Sequence, residues 1–209
     1  MTDILLISLA ISLLYMSIAN RIVTYLRILV FQGVLLFGVT YLALPHVNLI
    51  NLFLIMLETI ILKAIAIPWF ISYIIKRNGI TRETEPYLPN FVSLIIVTLI
   101  IVTTIILTGS INDTNLNKTI FVVALSTLFT GLYLIVSRKK IITHVIGYLV
   151  IENGVFVLSL AVGNEMPMLV NLGVMLDIFA SVLILGVFFN RIGDFLKDPD
   201  VNVLRNLKD

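Results

Sequence analysis

Seven apolar stretches, each closed by polar residues, occupy most of this chain and leave little choice of fold. They run over residues 4–19, 28–45, 49–75, 90–109, 119–137, 141–163 and 168–190. The last six are long enough for a membrane-crossing helix, which needs about 20 apolar residues; the first is at the lower edge of that range. Strands are not expected, because no segment of about ten residues alternates apolar and polar side chains. Of the 209 residues 59% are hydrophobic and only 12% charged, about half the charge of a soluble domain and too little to cover such a surface. The expected fold is all-α: a polytopic membrane protein with seven transmembrane helices. Asp3 precedes the first stretch and Asn20-Arg21 follows it, where a signal peptide would have a positive start and a small-residue cleavage site. A retained first helix is therefore expected.

The connections set an orientation. Arg21 and Arg27 flank the first, Lys76, Arg77 and Arg82 occupy the third, and Arg138, Lys139 and Lys140 form the fifth. Arg191, Lys197, Arg205 and Lys208 lie in the C-terminal tail. Twelve of the 14 basic residues thus fall on one side of an alternating chain, against Lys118 alone on the other. By the positive-inside rule the N-terminus is outside and the C-terminus cytoplasmic. There is no basic stripe of the kind that binds nucleic acid. The chain has no cysteine, which excludes disulfides, thiolate metal sites and a cysteine nucleophile. With only two histidines, His46 near the outer end and His144 near the inner end, the chain cannot sandwich a haem. No cofactor or metal is expected.

Five ionisable residues lie inside the apolar stretches: Glu58 and Lys63 in the third, His144 and Glu152 in the sixth, Asp177 in the seventh. A charge at the bilayer centre costs roughly 2.5–3.5 kcal/mol on insertion scales, so such residues mark pairs, water or ion paths. Lys63 and Glu152 fall at the midpoints of their segments, Asp177 about 3 Å and Glu58 about 6 Å further out at 1.5 Å per residue. A layer at this depth suits a lateral proton path or a buried ion site. His144, Tyr148 and Glu152, spaced four apart, share one helix face and form a stripe of hydrogen-bonding groups from the cytoplasmic end to the centre. Gly173, Asp177 and Ser181 form a similar stripe, and the short connection 164–167 makes the last two helices antiparallel neighbours, which allows Glu152 to meet Asp177. Glu58 and Lys63 are five residues apart, about 140° around an α-helix, and are not expected to pair with each other. Pro68 removes the hydrogen bond to the carbonyl of Ala64. The alternative is a purely structural lock between helices.

The segment 132–163, with Arg138-Lys139-Lys140 and then IGYLVIENGVFVLSL, resembles the small chain K subunit of respiratory complex I, and NLGVMLDIFASVLILGVFF resembles that subunit's third helix. By position Glu152 and Asp177 match its two membrane acids, Glu152 three residues later than the usual place. The whole chain, including Glu152-Asn153-Gly154 and the run from Lys63 to Pro68, is most similar to the hydrogenase 4 component E family, longer relatives of chain K. The resemblance implies a four-helix membrane region over 1–118, a chain K-like three-helix region over 119–190, and a cytoplasmic tail over 191–209. It implies a non-catalytic subunit of an energy-converting, formate hydrogenlyase-type complex in a prokaryotic cell membrane. Implied partners are antiporter-like and quinone-site-like membrane subunits and a cytoplasmic nickel–iron hydrogenase arm. A subunit of a multisubunit cation/proton antiporter, or a free-standing transporter, is the alternative, although no internal repeat of the transporter kind is seen. In the tail, Asp200 can cap a short helix that gathers Val203, Leu204 and Leu207 on one side, and docking on a partner is expected.

Overall fold

The computed structural model describes residues 1–43, 49–77, 86–111 and 116–162. His46, Arg82, the seventh apolar segment with Asp177, and the tail lie outside the described residues, so the Glu152–Asp177 contact and the tail helix are not addressed by it. The described residues are helical, with α1 Thr2–Ile18, α2 Ile22–Ala43, α3 Leu49–Met56, a π-helix Leu57–Ala66, α4 Ile67–Arg77, α5 Asn90–Gly109, α6 Lys118–Ser137 and α7 Ile141–Val162. Four of these helices, α2, α5, α6 and α7, are long and apolar enough to cross a bilayer; α1 is a shorter apolar helix.

The helix ends follow local chemistry. Asp3 sits in the first turn of α1, where the helix dipole favours negative charge. Asn117 caps α6, its side-chain oxygen accepting from the Ile120 N–H at 3.3 Å. The sequence places the start of the second helix at 28, but α2 begins at Ile22. Arg27 is exposed on its surface, because a long cationic side chain near a helix end reaches outward without breaking the helix.

Two apolar clusters hold the bundle. One joins Leu13 and Met16 of α1, Tyr25, Leu26, Ile28 and Leu29 of α2, Ile67 and Ile71 of α4, Val97 of α5, Leu134 of α6 and Ile142, Val145, Ile146, Leu149 and Val150 of α7. The other joins Leu6 and Leu9 of α1, Leu35, Leu36 and Val39 of α2, Ile120, Val123 and Ala124 of α6 and Phe156, Val157, Leu160 and Ala161 of α7. These memberships make α1 antiparallel to α2 and α6 antiparallel to α7. Between the clusters, at Ser12, Gln32, Glu152 and Asn153, the interior is polar and buried.

At one end of the bundle, Pro86 and Tyr87, the α6–α7 connection and the C-terminus of α1 meet. The Tyr87 N–H donates to the Ser137 carbonyl at 2.9 Å, and Pro86 pairs with Arg138 as an isolated bridge. Arg138 Nη2 donates to the carbonyl of Ser17, at the C-terminus of α1, at 2.7 Å. Although it lies in a connection between helices, Arg138 is 1% exposed. Its guanidinium is drawn inward because it caps the last turn of α1, where no basic residue of α1 itself stands, and it approaches the Tyr25 ring to 5.9 Å.

Helices α6 and α7 approach backbone to backbone through glycine. A Cβ on Gly154 would lie 2.6 Å from the Leu128 nitrogen, and one on Gly131 would lie 2.7 Å from the Ile151 nitrogen. Small residues at a helix interface are what draws helices together in lipid. Gly154→Ala is therefore expected to destabilise the protein by about 1–3 kcal/mol, the range for overpacking a close contact. Gly109→Ala, with nothing within 4 Å of its Cβ, should be neutral or slightly stabilising. Denaturant unfolding of the two variants in detergent micelles checks the contrast.

Candidate functional site

The third apolar segment is helical from Leu49 to Arg77 but changes register on the way. Over Leu57–Ala66 it is a π-helix, and at its end the Ile67 N–H reaches the Leu62 carbonyl, five residues back. The next bond in that series would need an N–H on residue 68, which is proline, so the π register stops there and α4 begins. The carbonyl that this next π-type bond would have reached is that of Lys63. Pi-helical turns are rare and concentrate at functional sites.

This register corrects the expectation that Glu58 and Lys63 face apart. An offset of five residues is one π turn, and Lys63 Nζ lies 3.9 Å from Glu58 Oε1. It lies equally 3.9 Å from Glu152 Oε1 on α7. Glu58, Lys63 and Glu152 are 2%, 6% and 8% exposed. The ammonium also stands over the Phe156 ring, 4.8 Å from its centroid, a contact that favours a cation when it is removed from water. At 3.9 Å neither ion pair is a direct hydrogen bond, and Lys63 Nζ donates none. A cavity of ≈ 10 Å³ borders the pair, lined by Leu29, Lys63, Ile67, Leu149, Glu152 and Asn153.

Beside the charges runs a neutral chain. Asn153 Nδ2 donates to Gln32 Oε1 at 3.1 Å, Gln32 Nε2 donates to Ser12 Oγ at 2.9 Å, and Ser12 Oγ donates to the Leu9 carbonyl at 2.6 Å. It ties α7 to α2 and α1 in the layer between the two apolar clusters. Sequence reasoning weighted ionisable residues and passed over Gln32 and Ser12. The available signal was an amide inside the apolar run Ile28–Phe37.

His144 and Tyr148 stand half-buried on the same side of the continuous helix α7 as Glu152. His144 Nε2 is 2.8 Å from the Arg138 carbonyl; a carbonyl only accepts, so Nε2 is the donor. His144 is thus anchored at the basic end of the bundle. The structure brings Glu58, Lys63 and Glu152 together; His144 and Tyr148 lie on the same face of α7, toward its N-terminal end.

The fold and site define an all-helical protein with several bilayer-length apolar helices and a cluster of opposite charges buried among them. The chain is similar, at 25% identity over 186 residues, to Rv0085, an uncharacterized protein of Mycobacterium tuberculosis. That similarity covers 88% of this chain and 84% of the relative. No family model and no solved structure matches the chain.

Proposed function

We propose that this protein is a seven-span, non-catalytic subunit of an ion-pumping redox complex of the energy-converting hydrogenase type. In this reading it sits in a prokaryotic cell membrane with its N-terminus outside, and Glu58, Lys63 and Glu152, with Asp177, form a lateral proton path at mid-depth. His144 and Tyr148 lead to that path from the cytoplasmic side. The observation that carries the reading is Lys63, buried and shared at 3.9 Å between carboxylates from two helices without a hydrogen bond to either. A structural ion pair offsets its desolvation only with close, fully hydrogen-bonded geometry, and apolar residues of similar size often do as well or better. A loosely held cluster of two acids and one base makes a poor lock, whereas it is suited to passing protons. Membrane location is supported by the apolar helices, and the nature of the complex by the resemblance of the chain K-like segment.

Affinity purification of the tagged full chain from its native membrane, followed by mass spectrometry, tests the assembly. Antiporter-like membrane subunits and a nickel–iron hydrogenase arm should co-purify. A stable lone chain that exchanges cations for protons in liposomes would replace this reading with a free-standing transporter.

A further inference from the structure

The neutral chain beside the charges has a fixed direction. The Leu9 carbonyl can only accept, so the single proton of Ser12 Oγ is committed to it at 2.6 Å. Ser12 Oγ must therefore accept from Gln32, which turns the Gln32 amide so that Nε2 faces Ser12 and Oε1 faces Asn153. Asn153 in turn must donate through Nδ2. Its Oδ1 is then the acceptor that the residue offers to the cavity it lines with Lys63 and Glu152. Gln32, Ser12 and Asn153 are 0%, 5% and 4% exposed, so water from outside does not scramble this order.

A buried water needs a polar space of roughly 10–15 Å³ and two to four hydrogen-bonding partners. The cavity meets the lower bound of that volume at ≈ 10 Å³. Its lining supplies one donor, the Lys63 ammonium, and two acceptors, the Glu152 carboxylate and Asn153 Oδ1. A water can accept one hydrogen bond and donate two, which matches this set. Ion pairs longer than a hydrogen bond are where bridging water is expected.

We propose that this cavity is a binding site for one water molecule, held by Lys63, Glu152 and Asn153, and that Gln32 and Ser12 are positioning residues that aim Asn153 at it. The inference rests on the proton-path reading only for the water's purpose. In that role, Lys63 Nζ gives a proton to the water oxygen while one water O–H proton passes to a Glu152 oxygen. The water is regenerated, the amine and the carboxylic acid are left neutral, and no charge crosses the layer unbalanced. Asn153 holds the water so that one O–H points at Glu152.

Infrared difference spectroscopy of the full chain in lipid nanodiscs, exchanged between ordinary water and H2¹⁸O, reads this site. The wild type should show an isotope-sensitive O–H stretch from an internal water. Asn153→Leu, which fills the space and removes the acceptor, should abolish that band. Gln32→Met, which leaves the cavity lining intact, should shift it to higher frequency as the water loses a well-aimed partner. Ser12→Ala should shift it less. Unchanged amide bands in each variant report an intact fold. Should Asn153→Leu fail to fold, the Gln32→Met shift decides alone. No isotope-sensitive band in the wild type, or a band unmoved in Gln32→Met and Asn153→Leu, overturns the proposal. Failure of the proton path reads out separately: a Glu152→Gln complex that still pumps, together with a wild-type water band that Asn153→Leu abolishes, would leave the water site standing and remove its purpose.

Discussion

Lys63→Met is expected to destabilise the folded chain by about 3–5 kcal/mol, the range found when one partner of a buried ion pair is removed and the other is left. Methionine matches lysine in length and helix propensity, so the change isolates the charge. It leaves Glu58 and Glu152 buried in the same layer with the ammonium between them gone. Lys118→Met, at the exposed start of α6, removes an equal charge from a place where water already screens it and should change stability by less than about 0.5 kcal/mol. The triple variant Lys63→Met, Glu58→Gln, Glu152→Gln should recover much of the loss, because amides in place of both carboxylates relieve the uncompensated charge. Unfolding of the reconstituted chain by a graded denaturing detergent separates these cases. Equal stability of Lys63→Met and Lys118→Met would mean that the cluster is not an ion-paired unit.

Gly33→Val is expected to cost about 3 kcal/mol, the upper end of the overpacking range. A Cβ at Gly33 would stand 2.9 Å from the Thr59 carbonyl oxygen, 3.0 Å from Ala64 Cβ and 3.1 Å from the Ala64 nitrogen. Thr59 and Ala64 bracket Lys63 in the π-helix, and two of the three obstructing atoms are backbone. The side chain cannot be admitted without moving α2 off the π-helix, and Gln32 moves with α2. Gly38, five residues on, meets only the far end of the Leu5 side chain at 2.9 Å. Leu5 can turn aside, so Gly38→Ala should stay within about 1 kcal/mol of wild type. The same unfolding assay checks both. A mild Gly33→Val would show that the approach of α2 to the π-helix is not needed to hold the layer together.

The helices were legible because length and hydropathy decide them: runs of 18 or more apolar residues ended by Arg, Lys, Asn or Pro map onto α5, α6 and α7 within a residue or two. Lys63 and Glu152 were legible because a charge within such a run is costly and must have a reason. Their companion Glu58 was visible as a residue but not as a partner of Lys63. The α-helical angle between them is about 140°, and only the π register, ended at Pro68, stacks them. A local sequence pattern does not announce that register.

Gln32 was not legible for a different reason. A neutral amide draws little attention in an apolar run, and what gives it meaning is contact with Ser12, 20 residues away, and Asn153, 121 residues away. Arg138 was legible as part of the fifth connection but not as a buried residue. Its burial depends on the C-terminus of α1, which the chain brings back from 121 residues earlier.

In the proposed function the buried cluster of Glu58, Lys63 and Glu152 moves protons. Glu152→Gln tests it most directly, since it keeps the shape of the side chain and removes the group that titrates. The measurement is proton translocation by membrane vesicles that carry the assembled complex, with subunit composition verified in the same preparation. Normal assembly is expected, with translocation reduced to the background of vesicles lacking the complex. Full translocation by a normally assembled Glu152→Gln complex would contradict the proposed function and leave Glu58, Lys63 and Glu152 as a structural contact between the π-helix and α7.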